Sequence, residues 1–228
     1  MIIERVDNLL NILRKGTEKM AKELPNIEYY NDKTPTIDSP DSMFILPFEK
    51  DDEFFSNLES KTRFIKGCEK LVRKTIRYKK YINYLKKEVK LNHCQVLSSL
   101  TDKDCTIEMH HGPIFTLYDY CEIVIDYYLN HHWKITTFAI ASDVIKEHWA
   151  NRIQVVMLST SVHQEVHDRE IFININQAWG DLHGFLQKYP LNKDLKEKYN
   201  RYLDKCQMMD STSYEILKLN DKLIERER

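Results

Sequence analysis

The sequence predicts a mainly helical α+β fold, and three observations carry that prediction. Apolar residues recur at helical spacing over long stretches of the chain. Only 5 Gly and 6 Pro punctuate 228 residues, too few for a loop-rich or all-β protein. The alternating, β-branched segments are short and lie in the middle of the chain. This length suffices for one large domain, or a compact domain with helical additions.

The elements follow in order. Ile2, Ile3, Val6, Leu9, Leu10 and Leu13 form an approximate helical stripe, so residues 1–24 read as an N-terminal amphipathic helix. Pro25, Pro35, Pro40 and Pro47 make 25–50 a linker or extended arm. A helical pattern runs from Asp52 to about Leu91, with a break expected near Gly67, giving a helical, partly basic segment over 51–92. From His93 the pattern alternates and predicts a β-hairpin turning at Thr101-Asp102-Lys103-Asp104, whose second strand delivers His110-His111 before Gly112-Pro113 ends it. Helices are expected over 117–132 and 138–151, a short strand over 151–158, a helix start over 159–168 and another strand over 170–175. Ser159, Thr160 and Ser161 offer N-caps, and Ser161 with Gln164 fits a capping box. The tail, 181–228, reads as helical with a break at Tyr189-Pro190.

Composition narrows the function classes. A hydrophobic fraction of 42% with 30% charged residues fits a soluble globular protein, and no run of eighteen apolar residues offers a membrane span. The N-terminus lacks the charge, apolar and cleavage regions of a signal peptide. Five scattered cysteines without a CxxC suit a reduced, cytoplasmic protein. A net charge of -1 gives no global attraction to nucleic acid, so such binding has to come from local clustering. The stretch 73–90 supplies one, with Arg73, Lys74, Arg77 and Lys80 as candidate phosphate contacts and Tyr78, Tyr81 and Tyr84 between the charges. Glu69 and Glu88 dilute it, and a solvated helix face is the plainer reading.

Four histidines carry most of the chemistry. His163 and His167 are spaced i, i+4, which puts both imidazoles on one helix face, in reach of one divalent ion. His110 and His111 are adjacent, and in a strand their rings point to opposite faces. One can complete a metal site while the other stays free as a base, a plan for metal-assisted hydrolysis. Glu108 shares a strand face with His110 and could orient that ring. The competing reading is a cluster of structural histidines, since seven of the nine fall between 110 and 167. His148 and the pair His131-His132 read as helix-end cations, His183 as a surface or packing residue, and Trp179, Phe185 and Tyr189 as core residues rather than a base-stacking site.

In IEMHHGP (107–113) and QVVMLSTSVHQEVH (154–167) the chain resembles the HNH (His-Me finger, ββα-metal) endonucleases, most closely the colicin-DNase-like variant. The resemblance spans Cys94 to Asp168 but is confined to its two ends: a strand ending in His-His with a proline soon after, and a helix bearing His-x-x-x-His, with Leu158 in phase. It implies a ββα-metal finger in a nuclease-like domain over 93–190, with a helical insert at 116–150 and helical additions at both ends. It further implies His110, His163 and His167 as ligands of one divalent metal (Zn²⁺, Mg²⁺, Mn²⁺ or Ni²⁺) and His111 as the base that activates water. The substrate would be a nucleic acid phosphodiester, DNA before RNA. The family's middle Asn, which helps hold the base, falls on Gln154, with Asn151 nearby, and Ser159 and Val162 stand where many relatives carry cysteines. Two other readings stay open: a metal- or nucleic-acid-binding module that has lost catalysis, and a metal hydrolase acting on other esters or amides. The Lys- and Asn-rich composition with such a finger suits a bacteriophage or mobile element.

Overall fold

A computed structural model describes residues 49–208. The expected helix over 1–24, nearly all of the arm 25–50 and the end of the tail, 209–228, lie outside the described residues. Among the described residues the helices are α1 (Asp52–Ser56), α2 (Leu58–Lys74), α3 (Ile76–Lys87), α4 (Leu117–Asn130), α5 (Thr137–Trp149), α6 (Thr160–His167), α7 (Leu182–Lys188) and α8 (Lys193–Met208). Two strands, β1 (Ile107–His111) and β2 (Val155–Ser159), form one antiparallel sheet. The fold is therefore α+β and mainly helical.

Polar residues with short side chains start most of these helices. Asp51, Asn57, Thr75, Thr136 and Asp181 each accept a hydrogen bond from a backbone N–H in the first turn, satisfying a donor the helix cannot. Thr116 and Asp119 form a reciprocal capping box on α4. The break expected near Gly67 falls instead at Thr75. Gly67 continues the helix, whereas Thr75 is extended (ψ 150°), and its hydroxyl donates to the Val72 carbonyl at 2.9 Å and accepts from Tyr78 N–H at 3.2 Å. The capping box expected at Ser161 does not form, because α6 begins at Thr160 with Ser159 in the cap position and no side-chain bond from it. The break at Tyr189-Pro190 does separate α7 from α8.

The hairpin expected from His93 is corrected by the sheet. The Thr101–Asp104 turn exists, held by the Asp104 carboxylate accepting from Thr101 N–H and hydroxyl at 2.9 and 2.8 Å. Yet only His93 bridges Thr101, and β1 pairs with β2 across the helical insert, in the register His110↔Val156 and His111↔Val155. Residues before the turn cover the far edge of β2 instead. Gln95 N–H donates to Met157 carbonyl at 2.8 Å, and its side-chain oxygen accepts from Met157 N–H at 2.7 Å. Trp179 exchanges both backbone bonds with Val155 at 2.8 Å. With both edges of β2 taken, the strand expected at 170–175 has no ladder to join. It runs irregularly into a 3₁₀ turn, Ile175–Gln177, while Ile171 and Ile173 still bury their side chains.

The core lies between the helices and one face of the sheet. α2 packs chiefly on α5 and α4, burying Phe64, Ile65, Cys68 and Val72, while α6 packs on both strands. Phe185 and Tyr189 are buried as expected, and Trp179 is half-buried. Buried Glu147 ties α7 to α5, with Lys188 Nζ at 2.6 Å, Tyr189 hydroxyl at 3.1 Å and Arg152 Nε at 2.7 Å.

Gly180 is the position where a side chain is excluded: φ is +120°, and a Cβ would stand 2.3 Å from the Ile153 carbonyl oxygen. Gly180→Ala is expected to cost at least about 2 kcal/mol in urea denaturation. Gly67→Ala, with its nearest neighbour 3.9 Å away in a helix interior, should be neutral or stabilise by up to about 1 kcal/mol.

Candidate metal centre

Pleating of β1 separates the histidine pair. Glu108 and His110 fall on the face covered by α6, and Met109 and His111 on the face turned to the helical core. The i, i+4 spacing on α6 then brings His163 and His167 edge-on to the His110 ring. His110, His163 and His167 each offer a ring nitrogen, and these atoms all lie within 4.8 Å of one another. His110 is buried, His163 half-buried and His167 exposed. Gly112 permits this placement, because a Cβ there would press on the His110 ring at 3.0–3.1 Å.

Glu108 sits elsewhere than expected. Its carboxylate meets His163 Nδ1 at 2.6 Å rather than orienting His110, since α6 lies directly over that face. A carboxylate accepts, so His163 carries a proton on Nδ1, which leaves Nε2 as the ring nitrogen turned to another partner. That Nε2 lies 3.0 Å from His167 Nε2. Two lone pairs repel at that distance, so the contact requires a proton or a cation between them. Tetrahedral nitrogen ligands of Zn²⁺ stand about 3.3 Å apart, from Zn–N distances near 2.05 Å. The donor set therefore fits a divalent metal after small adjustments. Burial, then the neighbouring rings of His163 and His167 and the Arg73 guanidinium, push His110 down to about 3, so it stays neutral with its lone pair available. His167 is lowered too, by desolvation first and then by His163 and Arg73.

His111 occupies a different environment from the one expected. It is not free: it is 5% exposed, and its Nε2 lies 3.0 Å from His148 Nε2. Tyr78 lies parallel to the ring, 6.1 Å between centroids. His148 is fully buried, and its Nδ1 lies 2.7 Å from the Val144 carbonyl. The expected helix-end cation is thus a neutral core histidine. Burial holds it down to about 4, against the raising effect of the Val144 bond, and Arg73 adds to the lowering. Burial, His148 and Arg73 hold His111 well below its usual value. The signal for His148 was present in the sequence: with Ala141, Val144 and Ile145 it completes an i, i+3, i+4, i+7 buried face.

Neither of the two amides expected to hold the base hydrogen-bonds to His111. The Gln154 side chain is buried with its Oε1 unpartnered among the described residues, while its backbone N–H donates to Tyr120 hydroxyl at 3.0 Å. Asn151, at φ +53°, accepts from Trp179 Nε1 at 3.2 Å. Arg73, Lys74, Arg77 and Lys80 are all exposed along the end of α2 and the start of α3. Arg73 pairs with Glu69 at 2.8 Å, yet its charge reaches the imidazoles of both faces. His131, His132 and His183 are exposed and outside the cluster.

The sequence model of the bacteriophage G278-like virion proteins matches residues 1–228. The chain belongs to this family. No curated protein and no solved structure matches it. The bacteriophage association suggested by composition thus holds for this G278-like protein. Among its described residues no helix is long and apolar enough to cross a membrane.

Buried His148 makes the fold acid-sensitive. The unfolded chain protonates this ring near 6.5 and the folded protein only near 4, so between those values the unfolded state binds the extra proton. Stability is expected to be full above pH 6.5 and to fall by about 3 kcal/mol as pH drops to 4, followed by urea denaturation of protein without added metal.

Proposed function

We propose that this G278-like protein is a phage particle component that binds one divalent metal through His110, His163 and His167 and hydrolyses nucleic acid phosphodiesters, DNA before RNA. On this reading β1, β2 and α6 form a ββα-metal finger of the HNH type. The observation that carries it is the convergence of three imidazoles from a strand and a helix, with the Glu108 carboxylate holding Nδ1 of His163. A bound divalent cation supplies Lewis-acid stabilisation of negative charge on the phosphate and the departing oxygen. The residues of the chain do the rest. Arg73, Lys74, Arg77 and Lys80 hold the phosphate backbone, and Arg73 is the one of these four that is electrostatically coupled to the site. His111 takes the proton of the attacking water.

A second reading has one specific observation in its favour: His111 is 5% exposed and already bonded to His148. The same finger would then serve as a metal- or nucleic-acid-binding particle module without turnover. Plasmid nicking under Mg²⁺, Mn²⁺, Ni²⁺ or Zn²⁺, beside metal analysis, separates the two. Wild-type protein is expected to carry one metal and nick DNA. His163→Ala loses both, and His111→Ala keeps the metal but loses cleavage by about 10²-fold or more. A metal-loaded wild type without nicking leaves only the second reading.

Two further outcomes follow from the surroundings of the site. Glu108→Gln should fold normally yet weaken metal affinity about 10–100-fold in competition with a chelator. Replacing Lys74, Arg77 and Lys80 together by Gln should lower the slope of log affinity against log salt by about 2–3 on duplex DNA, with metal content unchanged.

A further inference from the structure

We infer that His148 is a positioning residue, fixing His111 in the tautomer that carries its proton on Nε2 and its lone pair on Nδ1. The Val144 carbonyl lies 2.7 Å from His148 Nδ1, so Nδ1 donates to it. His148 is wholly enclosed and neutral, which leaves its Nε2 as a bare acceptor. His111 Nε2 stands 3.0 Å away and is therefore the donor. A neutral imidazole with its proton on Nε2 has its lone pair on Nδ1, and no hydrogen bond among the described residues occupies that atom.

Packing makes the arrangement rigid. Tyr78 and Tyr81 meet the His148 ring edge-on at 5.4 and 5.3 Å, and Tyr78 also lies flat along His111. His148 thus supplies, from the inserted helix α5, the hold that the HNH resemblance assigns to an amide and that neither Gln154 nor Asn151 makes here. The consequence for catalysis rests on the reading of His111 as the base. When water gives up its proton to His111 Nδ1, the new imidazolium keeps its Nε2–H on His148 Nε2. That bond strengthens because its donor is now charged, and His148 remains neutral. The hydroxide so formed attacks phosphorus as the bond to the leaving oxygen breaks, that oxygen takes a proton from solvent, and His111 returns its own proton to solvent, which restores the balance.

The test uses the full chain. Nitrogen–proton correlation spectra of the imidazoles, recorded without added metal and with one equivalent of Zn²⁺, should give His111 as the Nε2–H form and His148 as the Nδ1–H form. His148→Phe keeps the ring volume and removes the acceptor, while His148→Gln restores an acceptor oxygen. In His148→Phe the single His111 tautomer should be lost and kcat for plasmid nicking should fall about 10²-fold, with metal stoichiometry and KM held. His148→Gln should recover much of both, and it carries the test if His148→Phe does not fold. A wild-type His111 protonated on Nδ1, or a folded His148→Phe that nicks at the wild-type kcat, overturns the inference. Tautomers as stated and lost in His148→Phe, in a wild type that does not nick, support the positioning and sink the nuclease reading instead.

Discussion

The pairing of β1 with β2 is the constraint on which the rest of this molecule depends. Five residues on each side, joined across more than forty intervening positions, bring the His110-His111 dipeptide to the root of α6. Without that ladder the imidazoles of α6 would be two side chains on an isolated turn of helix. The ladder is also short, and a two-stranded sheet is weak unless its edges and faces are covered. Gln95 and Trp179 cover the outer edge of β2, α6 covers one face, and the helical core covers the other. The inserted helices α4 and α5 thus form part of the sheet's support, and α5 reaches through His148 to the residue next to the metal-ligand candidate.

Pleating divides the chemistry into two halves with opposite demands. On the α6 face, three ring nitrogens converge beside a carboxylate, open enough for His167 to remain exposed. On the core face, His111 and His148 are sealed between tyrosines, where an uncompensated charge would be costly and each ring has to satisfy the other. Desolvation works in the same direction on both faces, since it keeps the imidazoles neutral and their lone pairs usable. Arg73 reinforces this from outside, as a fixed cation that disfavours further positive charge without entering either cluster. Metal binding requires deprotonated ligands, and His110 meets that requirement, although the Arg73 charge opposes a dication as it opposes a proton.

Much of this was legible in the sequence because it is written in short-range spacing. The i, i+4 interval of His163 and His167, the i, i+2 relation of Glu108 and His110, and the opposed directions of His110 and His111 all follow from element geometry alone. Caps are equally local, yet those at Asp51, Asn57, Thr75 and Thr116 were not anticipated, and the capping box expected at Ser161 does not form. Where local signals competed, the sequence misled. Gly67 carries a helix-breaking reputation but costs little on an exposed helix face, while Thr75 ended the helix by offering its own hydroxyl to the backbone. The alternation at 170–175 described burial correctly and strand formation wrongly, since a strand needs a free edge as well as a pattern.

By itself, then, the chain determined its helices, its mainly helical α+β class and which histidines could share a face, since each depends on intervals of seven residues or fewer. Only the tertiary structure decided what those faces meet. It paired β1 with β2 rather than with the preceding segment, turned Glu108 to His163, and enclosed His111 against a histidine thirty-seven positions away. The physical reason is that a side chain's direction is a local property, whereas its partner is chosen by packing among elements far apart in the chain, and no periodicity encodes that choice.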